Sequence, residues 1–178
     1  MKIYFIVLML FFFIDELYPQ EIKEEAEKII RDAFKKEVDI SMEKYEIDKD
    51  LKAQTEYLVK QKFFGSHIYL FKIFSGDNLI AVALLDNVYG KSQPITFIVL
   101  FDLQGGIIIS DIVKYREAYG GAVSSEKWNE QFKGKNSESS FKVGEDIDSI
   151  SGATISVNSV TLGIKKLAIL FNEIRKNL

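Results

Sequence analysis

Asp148-Ser149-Ile150-Ser151-Gly152-Ala153-Thr154 is the stretch of this chain best suited to chemistry, because it sets small hydroxyl residues around a glycine just before an amphipathic run. Ser151, Gly152 and Ala153 carry little bulk, so another group can come close to the backbone there. Thr154 offers a hydroxyl at the first turn of the helix that follows. Unpaired N–H groups and the positive pole of a helix make such a start a natural seat for a phosphate. The same residues also suit a plain hydroxyl N-cap, which would satisfy those N–H groups internally. Residue chemistry alone leaves both readings open.

Other reactive constellations are missing from the sequence. It contains no cysteine, which excludes disulfides, thiolate metal sites and iron–sulfur ligation. His67 is the single histidine and cannot make a zinc site by itself; in a strand it reads as a packed or edge residue. No serine sits in a Gly-x-Ser-x-Gly elbow, so neither a catalytic residue nor a metal ligand is assigned.

The elements that must position the motif can be read from periodicity. Val157, Val160, Ile164, Leu167, Ala168, Phe171 and Ile174 share one face of a C-terminal helix, with Lys165, Lys166, Arg175 and Lys176 toward its negative pole. Glu21 to Phe34 carries Ile22, Ala26, Ile29, Ile30, Ala33 and Phe34 at helical spacing behind a glutamate-rich start. Val38 to Lys62 is charged and mixed, and Leu51, Tyr57 and Leu58 suggest a second, weaker helix. Runs rich in β-branched and aromatic residues then predict two hairpins. His67–Phe74 and Leu79–Asp86 join across Ser75–Asn78, and Ile95–Asp102 and Ile107–Val113 join across Gln104–Gly106. Four hairpin-linked strands imply an antiparallel sheet packed on one face by helices, hence an α+β fold. Ser124 to Phe132 reads as a short helix ended by Gly134.

The Asp148–Thr154 run, with Ser156 following, resembles position for position the flavinylation motif of the FMN-binding domain family, Asp-x-x-Ser/Thr-Gly-Ala-Thr/Ser followed one residue later by Ser or Thr. Ser-Gly-Ala-Thr arises by ordinary residue usage in roughly a few per thousand chains of this length. Glu117, Gly120, Trp128, Gln131, Phe132, Gly134 and Lys135 also fit a second stretch that resembles the family, His-x-Glu-Thr-Pro-Gly-Leu-Gly, a tryptophan helix and a Phe-x-Gly-Lys turn. Here Tyr115 stands in place of the histidine, and Ala118-Tyr119 in place of Thr-Pro. The departure sets the chain apart from the family's members in the Rnf complex and in the sodium-pumping NADH:quinone reductase, and nearer its stand-alone exported members. The resemblance implies FMN held covalently on Thr154 by a phosphoester that a dedicated flavin transferase makes. It implies cofactor contacts from Ser151, Gly152, Ala153, Ser156, Glu117 and Gly120, and a twisted antiparallel sheet. Asp148 reads as turn-forming or as part of the transferase's signature, and Trp128 as core packing in preference to ring stacking.

Composition and the N-terminus complete the expectations. With 178 residues, 47% of them hydrophobic, the chain can bury one good core. A formal net charge of -3 excludes nucleic acid as a primary partner. Ile3 to Ile14 is an unbroken apolar run behind Lys2, which reads as the core of an export signal or an uncleaved anchor. The expected organisation is a signal peptide or anchor over 1–20, a helical segment over 21–62 and an FMN-binding domain over 63–178. The expected role is an extracytoplasmic electron-transfer flavoprotein, not a self-contained enzyme, with a membrane redox complex or extracytoplasmic reductase as partner. The alternatives are an electron-input subunit for a separate flavin-dependent reductase and an unflavinylated binding or structural domain.

Overall fold

The computed structural model describes residues 20–34 and 36–178; the apolar run Ile3–Ile14, and with it the expected signal or anchor, lies outside the described residues. A helix over residues 20–34 (α1) opens the fold. It is followed by β1 (Asp39–Glu46), α2 (Lys49–Val59), β2 (His67–Ser75), β3 (Asn78–Tyr89), β4 (Pro94–Asp102) and β5 (Ile107–Lys114). A 3-10 turn (Gly121–Ser124), a one-turn helix α3 (Glu126–Asn129) and a long loop lead to α4 (Thr154–Ile174).

The strands form a five-stranded antiparallel meander in the order β1-β2-β3-β4-β5. Each turn has a local cause. Gly76, at φ +59, takes the first central position of the two-residue β2–β3 loop, where a twist-compatible hairpin wants a positive φ. At the β4–β5 turn Asp102 Oδ1 accepts from the N–H groups of Gln104 and Gly106, both at 2.9 Å. Asp48 caps α2 by accepting from the N–H groups of Asp50 and Leu51, each at 3.0 Å.

Both faces of the sheet are covered, which corrects the one-face expectation. On one face α4 lies over Leu70, Val82, Leu84, Phe97, Val99 and Phe101, with Phe171 stacked on Phe101 at 4.6 Å between ring centroids. On the other, Ala26, Ile29 and Ile30 of α1 pack on Phe71, Ile73, Ala81, Ala83, Ile98 and Leu100. Gly163 allows the close crossing of α4, since a Cβ there would stand 2.7 Å from Val88 Cγ1 and 2.8 Å from Phe97 Cζ.

Two further corrections concern the 21–62 segment. It contributes β1 to the same sheet, so it is not wholly helical and there are five strands, not four. The second helix suggested by Leu51, Tyr57 and Leu58 is α2, but Tyr57 and Leu58 are 82% and 56% exposed, and Thr55, Glu56 and Val59 face inward. Lys166, read only as one of the cations toward the negative pole of α4, is buried in the core. Its Nζ lies 3.0 Å from Asp86 Oδ2, 3.0 Å from the Lys62 carbonyl to which it donates, and 4.4 Å from the centre of the Phe63 ring.

Candidate functional site

The motif forms a turn that hands the chain into α4. Ala153 N–H donates to the Ile150 carbonyl at 3.0 Å, and Gly152 sits between them at φ +77, where a side chain would be strained. The N-cap is Ala153, and no side chain caps this end among the described residues. Thr154 is the first helical residue, not the cap, so the plain hydroxyl cap that the sequence left open is not formed. Alanine at this position leaves the first N–H groups of α4 without the oxygen that Ser, Thr or Asp would supply. Ser151, Gly152 and Thr154 are exposed, Ala153 and Ser156 are buried, and no acid occupies the first turn. The positive end of a helix of 21 residues therefore meets solvent beside an accessible hydroxyl.

Three groups of contacts hold the turn in place. Trp128 Nε1 donates to the Asp148 carbonyl at 2.9 Å, and Asp148 N–H donates to Gln131 Oε1 at 2.7 Å. Thus the tryptophan helix grips the first residue of the motif by its backbone, while the indole is buried and packs edge-on to Phe132. The Asp148 side chain is exposed. Lys135 then fixes the preceding loop through Asp146 at 2.9 Å, and the Phe141 and Lys142 N–H groups donate to the same carboxylate. These partners hold the Asp146 carboxyl well below the usual carboxylate range, with the Lys135 hydrogen bond the largest cause.

The third group comes from the end of β5. The Tyr115 hydroxyl lies 2.9 Å from Ser156 Oγ and donates to the Tyr119 carbonyl. Gly120, at φ +83, fills the space between: a Cβ there would stand 2.8 Å from Tyr115 Oη, 2.9 Å from Ser156 Oγ and 3.6 Å from Ala153 Cα. Gly120 is therefore packed against the motif. Glu117 points elsewhere, accepting from Ser92 N–H at 2.6 Å, Ser92 Oγ at 2.8 Å and Gln93 N–H at 3.0 Å. Those bonds, the Gln93 and Ser92 N–H groups first, hold its carboxyl below the ordinary value. Its oxygens are taken up by the β3–β4 loop.

The structure thus brings Ala153, Ser156 and Gly120 into one cluster beside Ser151, Gly152 and Thr154, with Asp148 held at its base and Glu117 one loop away. Sequence reasoning registered Tyr115 only as a departure. The signal it offered was its place in the second stretch, where a ring-borne polar atom is retained. Two cavities, of about 470 Å³ between α1, β5 and α3 and about 340 Å³ under the start of α1, contain none of the motif residues. The site at Thr154 is open surface.

Comparison with known proteins bears on this cluster. Residues 90–168 match the FMN-binding domain family, a segment running from the β3–β4 loop through Glu117, Gly120 and the motif into α4. No curated protein matches the chain.

Proposed function

We propose that this protein, whose residues 90–168 match the FMN-binding domain family, carries FMN covalently, through a phosphoester on the Thr154 hydroxyl, and serves as an electron carrier. The carrying observation is the start of α4: an exposed threonine on an uncapped, positively poled first turn, preceded by a Ser-Gly turn that leaves room for a phosphate. Glycine at 152 and alanine at 153 add no competing oxygen. Ser156 is buried and already engaged by Tyr115, which leaves Thr154 as the accessible hydroxyl of the helix start.

FMN supplies the redox reactivity when bound. The residues of the chain hold and orient it. The N–H groups of the first turn would hold the phosphate, the contacts of Trp128, Gln131 and Tyr115 keep the Thr154 turn in register with α4, and the burial of α4 fixes its direction. A separate flavin transferase would make the ester from an activated, phosphoanhydride-linked FMN donor. The anhydride P–O bond of that donor breaks and its other phosphate leaves as the Thr154 Oγ1–P bond forms, and the exposure of Thr154 suits that step. The apolar run Ile3–Ile14 supports an extracytoplasmic location, with a membrane redox complex or an extracytoplasmic reductase as electron partner.

The test is intact mass after co-expression with a flavin transferase. The expected outcome is a single FMN adduct on the peptide holding Thr154, lost in Thr154→Val. The exposed position keeps the stability change within about 0.5 kcal/mol. Covalent flavin retained by Thr154→Val overturns the assignment.

A further inference from the structure

Two aromatic side chains stand in water at the end of the sheet where the motif lies. Phe64 is 45% exposed and Tyr89 67% exposed, and their ring centroids are 5.0 Å apart with the planes tilted by 37°. Their chain neighbours Phe63 and Val88 are buried. The pair is therefore the outward-facing half of an in-and-out pattern, held by backbone whose other side chains are locked in the core.

Contacts on both sides of the pair lead to α4. Gln61 Nε2 donates to the Ser159 carbonyl at 3.0 Å, tying the segment before Phe64 to the second turn of that helix. At 1.5 Å per residue, Ser159 lies about 7–8 Å along the axis from Thr154. Gly90, next to Tyr89, packs on Glu117, since a Cβ on it would run into that carboxylate. Two residues before Glu117, Tyr115 reaches Ser156 of the motif.

We propose that Phe64 and Tyr89 form the platform on which the isoalloxazine ring of the flavin carried by Thr154 rests. This rests on the attachment reading above and extends it to residues outside the matched 90–168 segment. The ring would reach the pair by way of its ribityl chain, along the end of the sheet that the pair shares with the helix start. A flat heteroaromatic ring gains by offset contact with exposed aromatic rings, and the contact removes apolar surface of both from water. The tilt between Phe64 and Tyr89 lets one ring stack on the flavin while the other meets its edge. Tyr119, 85% exposed, also flanks the motif but is not paired with a second ring among the described residues, and it serves as the control.

Flavin emission reads the contact. A phenol touching an excited flavin gives it an electron, which returns on decay, so emission is quenched with no net oxidation. Wild type, Tyr89→Leu, Phe64→Leu and Tyr119→Leu are made with the transferase, the single adduct is verified by mass and folding by circular dichroism, and emission is compared. Tyr89→Leu is expected to give the largest gain in emission of the three variants, as the phenol contact is lost. Phe64→Leu brightens less and Tyr119→Leu stays at the wild-type level. An unchanged Tyr89→Leu, or an equal gain in Tyr119→Leu, overturns the platform while the adduct stands. Wild type lacking the adduct overturns attachment and platform together.

Discussion

Lys166→Met keeps the stem of a buried side chain and deletes its charge. The Lys166 and Asp86 side chains are 0% and 3% exposed, and apart from the ammonium Asp86 Oδ2 has no partner among the described residues. Burial pushes the Asp86 carboxyl up and the Lys166 ammonium down, each offset in part by the other. Removing one member of a buried pair costs about 3–5 kcal/mol. Protonation limits the loss. Taking up a proton at pH 7 costs a carboxyl of ordinary pKa about 4 kcal/mol, and at pH 5 about 1.5 kcal/mol. In the variant the folded-state pKa of Asp86 lies above its unfolded value, so the penalty is full above the folded pKa and fades as pH falls toward the unfolded one. Urea unfolding should therefore show Lys166→Met weaker by about 3–4 kcal/mol at pH 7 and about 1.5 kcal/mol at pH 5. The double variant Asp86→Leu/Lys166→Met should return to within about 1 kcal/mol of wild type, because no charge is left stranded. A penalty independent of pH, or a double variant no better than the single one, refutes the reasoning.

Two further outcomes test the site. Ala153→Ser supplies the missing acceptor at the start of α4 and should stabilise the flavin-free protein by about 1 kcal/mol in urea unfolding; no gain would show that those N–H groups already have partners. Glu117→Gln removes a carboxylate held below its ordinary pKa by the β3–β4 loop. Its stabilisation is present above the unfolded pKa and lost as pH falls through the folded one. The urea midpoints of wild type and variant should therefore differ at neutral pH and converge in acid, whereas a difference that does not vary with pH contradicts the loop-holding role.

Much of the fold could be read where one face of an element is strongly apolar. The Ala26, Ile29 and Ile30 stripe of α1 and the long runs of β2 to β5 all became core. By contrast, β1 escaped notice because an edge strand buries little. Asp39, Glu43, Lys44 and Glu46 stand in water, and its conformation comes from pairing with β2, not from its own residues. The inward face of α2 was not legible for another reason. Glu56 can be buried because Lys62 Nζ at 2.7 Å and the Phe63 N–H at 2.9 Å satisfy it, and both partners follow the helix. No local pattern joins Asp86 to Lys166, so the sequence offered no sign that this lysine is paired in the core. At the site, the motif, Gly120 and the Trp128 turn were legible through resemblance. The Tyr115–Ser156 contact and the loop partners of Glu117 depend on how β5 ends relative to α4, which only the folded chain decides.

The uncapped start of α4 also sets a gradient of local stability. From Val157 onward the inward side chains of the helix are locked in the core, so their backbone amides open only with the domain as a whole. Before Val157, Thr154 and Ile155 are exposed and no cap bond must break for them to move. The first turn of α4 is thus its least anchored part, ahead of a helix body that is locked in the core. On the attachment proposed above, a modifying enzyme would have to open only that single turn to reach the threonine, with the rest of the domain folded.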